Sequence, residues 1–199
     1  MTLKDKTVSG LIWSFIENFS KQGITFIVGI ILARLLMPEE FGLIGMITIF
    51  IAISTSVINS GFSQALIRKK DCTDTDYSKV FYFNLLAGVG FFGILFYASP
   101  LIAGFFDEPQ LDKLVKVLAS VLVIDAFTII QRTKLTKRID FKLQTKISVI
   151  ADVVSGVASI TMAYTGFGVW SLVARQIIQR ALNAILLWVW NRWMPLLVF

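Results

Sequence analysis

ARLLMPEEFGLIGM, residues 33–46, sets one proline and two glutamates between stretches made almost wholly of Leu, Ile, Phe, Ala and Gly. Two apolar segments of about 20 residues or more, each long enough for a hydrocarbon core of roughly 30 Å, joined by so short a polar break, read as a transmembrane helical hairpin. Pro38 closes the first helix and helps to start the second, and Glu39 and Glu40 fall near the positive N-terminal end of that second helix. Arg34, a turn inside the boundary, is expected to stretch outward to lipid headgroups or to those glutamates.

The rest of the chain follows the same pattern. Of its 199 residues 56% are hydrophobic and 16% charged, and the mean hydropathy is +0.75. A soluble domain carries roughly 25% charged residues, so this chain reads as a multi-pass membrane protein. The expected fold is all-α, a single polytopic bundle with spans at about 7–36, 41–66, 80–103, 111–131, 147–164 and 169–190. The breaks hold Pro38-Glu39-Glu40, the charged stretch 68–79, Asp107-Glu108-Pro109, the basic stretch 132–146 and Gly166-Phe167-Gly168, all residues that stop helices or need solvent. Lysines alternate with Leu135, Ile139, Phe141 and Leu143 over 133–146, which predicts a short amphipathic helix lying along the headgroups. Lys4 and Lys6 precede an apolar run as in a signal peptide, but Glu17, Asn18, Lys21 and Gln22 follow without a small-residue cleavage site, so the run reads as an uncleaved first span.

Positive charge orients the bundle. Lys4, Lys6, Arg68, Lys69, Lys70, Lys79, Arg132, Lys134, Lys137, Arg138, Lys142 and Lys146 fall on one side, whereas the opposite turns hold only Lys113 and Lys116. The positive-inside rule then places both termini in the cytoplasm. Trp13, Tyr77, Trp190 and Trp193 fall at the inner boundary and Tyr97, Tyr164 and Trp170 at the outer one, as amphipathic rings prefer. Topology thus accounts for most of the net charge of +6, and a nucleic-acid partner is not expected.

Little points to catalysis. Histidine is absent and Cys72 is the one cysteine, so neither a metal cluster nor a disulfide is suggested and no cofactor is expected. Metalloprotease, phosphate-loop and nucleophile-elbow motifs are missing, and Glu39-Glu40 and Asp107-Glu108 fit solvated turns. The chain does not read as an enzyme. Gly88, Gly90 and Gly93 fit close packing or bending in the third span.

The informative residues are polar ones within the spans. Ser14, Glu17, Asn18, Lys21, Gln22 and Thr25 recur at helical spacing in the first, with Glu17 and Lys21 in the favourable acid-first order. The second places Thr48, Thr55, Asn59 and Ser63 on one flank. Asp125 and Thr128 form a weaker stripe in the fourth, Ser148, Asp152, Ser155 and Ser159 one in the fifth. Ser171, Arg175, Gln179 and Asn183 align in the sixth, with Gln176 and Arg180 beside them. Charged residues facing lipid cost about 2.5–3.5 kcal/mol each, so these faces must meet one another or water. A dry bundle, with Glu17 paired to Lys21 and Asp152 to Arg175, satisfies this; so does a hydrated cavity, which stripes two or three turns long favour.

Six stretches carry a resemblance: LKDKTVSGLIWS (3–14), ARLLMPEEFGLIGM (33–46), NSGFSQALIRKKD (59–71), FYFNLLAGV (81–89), LTKRIDFKLQTK (135–146) and GFGVWSLVARQI (166–177). In this order they resemble the polysaccharide transporter family of the multidrug/oligosaccharidyl-lipid/polysaccharide exporter superfamily, especially its colanic-acid and teichuronic-acid type lipopolysaccharide exporters. The resemblance implies a bacterial inner-membrane flippase for undecaprenyl-diphosphate-linked oligosaccharides. Such proteins have two bundles totalling 12 or more helices and work by alternating access, driven by an ion gradient or the membrane potential. With six spans this chain reads as the N-terminal lobe, its partner being the C-terminal half of the same protein. On that reading Lys21, Arg175 and Arg180 attract the anionic headgroup, and Asn18, Gln22, Asn59 and Gln179 meet sugar hydroxyls. Glu17, Asp125 and Asp152 are candidates for a coupling cation. The rivals are a drug/cation antiporter of the same superfamily and a membrane enzyme of lipid-linked sugar metabolism.

Overall fold

The computed structural model describes residues 3–58, 62–69 and 72–196, and the side chains of 9–58, 64–69 and 72–196. The described residues form helices α1 (Leu3–Leu35), α2 (Pro38–Ile58), α3 (Phe62–Arg68), α4 (Asp74–Phe105), α5 (Gln110–Lys137), α6 (Phe141–Tyr164) and α7 (Val169–Asn191), without strands. All but α3 are long and apolar enough to cross a membrane. One end of the bundle gathers the α1–α2, α4–α5 and α6–α7 turns with Glu39, Glu40, Asp107 and Glu108. The other gathers α3, the α5–α6 turn and residues 192–196 with most of the Lys and Arg. They are called here the acidic end and the basic end.

Over the expected span at 41–66, α2 is described to Ile58 and α3 from Phe62, and residues 59–61 lie outside the described residues. One expected segment differs. The stretch 133–146 is not a separate interfacial helix: α5 runs to Lys137 and α6 starts at Phe141. Ile139 turns the chain with φ 58°, and Asp140 caps α6 by accepting a hydrogen bond from the Leu143 amide at 3.2 Å. Its residues also face inward, since Thr133, Lys134, Leu135, Gln144 and Thr145 are buried.

Burial explains why α5 is central. Leu111, Leu114, Leu118, Leu122, Ala126 and Ile130 recur every three or four residues and are at most 1% exposed. Around α5 lie α4 and α7 as its main neighbours, with α2 and α3 against it, while α1 packs on α6, which packs on α7. Close approach depends on small residues. Gly88 of α4 sits against the Leu122 carbonyl and Ala126 of α5, and Gly156 of α6 sits against Val28 of α1. Within α4, Pro100 leaves the Phe96 carbonyl without its helical amide partner, and the Ser99 hydroxyl lies 2.8 Å from that oxygen. The same hydroxyl lies 2.7 Å from Asp112 Oδ1 of α5, so its hydrogen serves one acceptor at a time.

Both ends are fastened by polar contacts. At the acidic end Glu40 accepts from the Met37 amide at 2.9 Å, and its carboxylate stands where any side chain at Gly168 would have to go. Arg34 is exposed and makes no hydrogen bond to those glutamates. At the basic end the Lys134 ammonium, 9% exposed, lies 2.9 Å from Asp74 and within 4.7 and 4.8 Å of the Tyr77 and Trp193 ring centres. Trp193 also donates to Asp74 at 3.0 Å, and Gln131 donates to the Trp193 carbonyl at 2.9 Å.

Gly156→Ala places a methyl carbon 2.8 Å from Val28 Cγ2, and overpacking of this kind costs about 1–3 kcal/mol. Thermal unfolding of the detergent-solubilised protein should show the loss. Val28→Ala in the same chain should recover part of it; a double variant as unstable as the two single losses added would count against this packing.

Candidate functional site

The face of α5 turned away from its Leu-rich core side carries Asp125, Thr128, Arg132 and Thr136, spaced three, four and four residues apart and so on one side of the helix. They line a cavity of about 260 Å³ with Thr55 of α2, Ile67 of α3, Ile129 and Thr133 of α5, and Arg180 of α7. Asp125 and Arg180 lie near the middle of their helices, whereas Ile67 and Thr136 belong to the basic end, so the cavity runs from mid-bundle to that end.

Its charges occupy two levels. Nearer the basic end, Glu17 Oε1 accepts from Lys21 at 3.2 Å, Arg132 at 2.9 Å and Ser148 at 3.0 Å, which joins α1, α5 and α6. Deeper, Arg180 Nη1 lies 3.1 Å from Asp125 Oδ1, joining α7 to α5. Beside it Gln179 donates to Asp152 Oδ1 at 3.0 Å, joining α7 to α6, while Asp152 Oδ2 is buried without a hydrogen-bond partner. Within each ion pair the exposure is unequal. Glu17 and Asp125 are 10% and 15% exposed, Arg132 and Arg180 43% and 47%. The acids are set into the helix packing and the guanidinium groups project into the cavity.

Of the candidates named from sequence, Asp125 and Arg180 line the cavity, Glu17 and Lys21 reach it through the bond of Glu17 to Arg132, and Asp152 and Gln179 are bonded to each other beside Arg180. Asn18 is exposed and donates to the Ser14 carbonyl at 3.0 Å, and Gln22 is exposed, so neither amide lines the cavity. Asn59 lies outside the described residues. Arg175 is half-buried and does not make the expected pair with Asp152, whose bonded partner is Gln179. Arg132 went unnamed as a site residue because the fourth span was ended at 131 and the arginine counted as a basic loop residue. Continuing the Asp125–Thr128 stripe by one step of four reaches it.

A second hollow, of about 540 Å³, follows the same two helices. Ile124 and Phe127 of α5 and Ala181, Ala184, Ile185, Trp188 and Val189 of α7 line it, all apolar but for the Trp188 indole N–H, which donates to the Phe127 carbonyl at 3.0 Å. The charged cavity and the apolar groove thus lie along the same two helices, on different faces. Among the described residues no group of three or more His, Cys, Asp or Glu is placed to hold a metal ion.

A hydrated cavity makes a labelling prediction. With Cys72 replaced by serine, Thr128→Cys and Thr136→Cys should react with a membrane-impermeant thiol reagent, whereas Ser159→Cys, at a position 0% exposed, should not. Equal protection at 128 and 159 would mean a dry bundle.

A family described as polysaccharide biosynthesis protein matches residues 31–199. The succinoglycan biosynthesis transport protein ExoT of Rhizobium meliloti (strain 1021) is 26% identical over 100% of this chain and 40% of its own length. The teichuronic acid biosynthesis protein TuaB of Bacillus subtilis (strain 168) is 30% identical over 72% of this chain and 30% of its own. For the lipopolysaccharide biosynthesis protein WzxC of Escherichia coli (strain K12) the values are 27%, 62% and 25%. The chain therefore spans less than half the length of these curated relatives. No solved structure matches it significantly. With six membrane-length helices and a match over most of its length, the chain belongs to the polysaccharide biosynthesis protein family, as a multi-pass membrane protein.

Proposed function

We propose that the chain is the N-terminal lobe of a flippase that moves an oligosaccharide carried on undecaprenyl diphosphate across the bacterial inner membrane by alternating access. The observation that carries this reading is that α5 and α7 together present a cavity with Arg132 and Arg180 and, on another face, an apolar groove. A diphosphate is drawn to guanidinium groups in a space of reduced dielectric, and a polyisoprenoid tail is drawn to the groove. Both halves of a lipid-linked substrate thus find a matching surface within one lobe.

ExoT is named a succinoglycan biosynthesis transport protein, which supports transport over catalysis, and TuaB and WzxC are named for the biosynthesis of teichuronic acid and lipopolysaccharide. Positive charge concentrated at the basic end makes that end cytoplasmic, with both termini inside. The cavity then opens toward the side where the lipid-linked unit is assembled, as a loading state requires. Asp152, whose Oδ2 is buried and unpartnered, is the carboxylate with an open position for a coupling cation. Lys21 adds positive charge beside Arg132, and Gln179 holds Asp152 in place. The relatives' greater length fits a C-terminal half that completes the pathway.

The test uses the full-length protein in cells lacking their own copy. Arg132→Gln with Arg180→Gln should cut polysaccharide export at least tenfold at unchanged membrane abundance. Ala184→Trp, which fills the groove, should do the same while sparing binding of a short-chain diphosphate-linked sugar. Normal export from the double glutamine variant would refute the proposed headgroup site.

A further inference from the structure

The arginines offered to the substrate are already occupied, and the two are occupied differently. Arg132 shares Glu17 with Lys21 and Ser148, all three on Oε1. If Arg132 turns to another anion, Glu17 still keeps an ammonium and a hydroxyl. Asp125 has no such reserve. Its carboxylate is bonded to Arg180 alone, since the Thr128 hydroxyl donates to the Asp125 backbone carbonyl instead. Arg180 in turn spends one nitrogen at 3.1 Å on a single carboxylate oxygen and is 47% exposed, so its remaining donors are free to face the cavity.

From this asymmetry we infer that Asp125 is a proton-accepting placeholder: it holds Arg180 while the cavity is empty, and takes up one proton when an anionic headgroup draws Arg180 away. The inference rests on reading the cavity as an anion site. A carboxylate 15% exposed that loses its one cationic partner is an uncompensated buried charge, the costliest state open to it, and a proton from water in the cavity removes that cost. The surroundings offer no second bonded cation. Arg132, two turns along α5, acts on Asp125 only through space and is bonded to Glu17, α2 and α3 contribute uncharged Thr55 and Ile67, α4 contributes nothing to the lining, and Asp152 of α6 is itself an acid that Arg175 of α7 faces. The count of charges agrees. Lys21, Arg132, Arg175 and Arg180 against Glu17, Asp125 and Asp152 leave one net positive charge, too little for a dianion; protonating Asp125 brings the balance to two.

Linkage fixes the sign: binding that takes up a proton is tighter at lower pH, by at most about tenfold per pH unit for one proton. The probe is a synthetic farnesyl-diphospho-N-acetylglucosamine, whose diphosphate diester does not itself titrate between pH 6 and 8. It is titrated calorimetrically into the detergent-purified full-length protein, in two buffers of different ionisation heat. The wild type should take up about one proton per probe bound and bind several-fold more tightly at pH 6 than at pH 8. Asp125→Asn should abolish the uptake, flatten the pH profile and bind at pH 8 at least as tightly as the wild type does, whereas Glu17→Gln should still take up the proton. Binding by the wild type without proton uptake, or uptake that persists in Asp125→Asn, would overturn this inference and leave the anion site standing. Absence of any binding by the wild type would overturn the anion site, and the inference with it.

Discussion

The contact between Glu17 and Arg132 joins residues 115 positions apart and brings α1, which packs mainly on α6, to the helix at the centre of the bundle. Much else follows from the same rule, that a charge taken into hydrocarbon must meet its opposite there. Lys21 and Ser148 gather on the same oxygen, Asp125 fastens α7 to α5, and Asp152 fastens α7 to α6 through Gln179. Each carboxylate therefore sets a distance between two helices as well as balancing a charge. Apolar packing alone would leave those distances loose, since lipid tails are as apolar as leucine.

The pairing also has a polarity. Inside the cavity the acids are shielded and the bases project, whereas in the cage at the basic end the order is reversed, with Lys134 9% exposed and Asp74 60% exposed. A shielded acid beneath a projecting arginine leaves a surface that looks positive from within the cavity although the total charge is nearly balanced. A shielded lysine between two aromatic rings has its charge spent locally and serves as a clamp. The same residue types thus give an anion-attracting surface in one place and a structural joint in the other, and depth decides which.

Hydropathy and the placement of proline, glycine and acidic pairs were enough to expose the bundle, because crossing hydrocarbon demands long apolar runs and solvated ends. At the basic end α4, α5 and α6 each reach several residues further into lysine-bearing sequence than hydropathy alone suggests. Lysine-rich sequence reads as solvent-facing, yet Lys134 is buried because Asp74, Tyr77 and Trp193 come to it from 60 or so residues away in either direction. Periodicity found the polar faces of α1, α6 and α7 and the Glu17–Lys21 pair within one helix, but not the partners that come from other helices. Asp152 with Arg175 was as reasonable from spacing as Asp152 with Gln179, and the register between α6 and α7 decides it. Arg132 was hidden by its neighbours' charge. Asn18 and Gln22 share a face with Glu17 and Lys21 in sequence, but the cavity lies toward α5 and passes them by.

Trp193 and Leu196, beyond the last turn of α7, are bonded into other helices, Trp193 to Asp74 and Gln131 and the Leu196 amide to Ser78 at 2.9 Å. A load applied to the chain at residue 196 therefore runs into the start of α4 and the end of α5 before it reaches α7. From α5 it returns to the end of α7 through Asn191, which donates to Gln131 at 2.6 Å, so that end of the helix moves with α4 and α5, while Arg180, three turns away, answers to the carboxylate beside it.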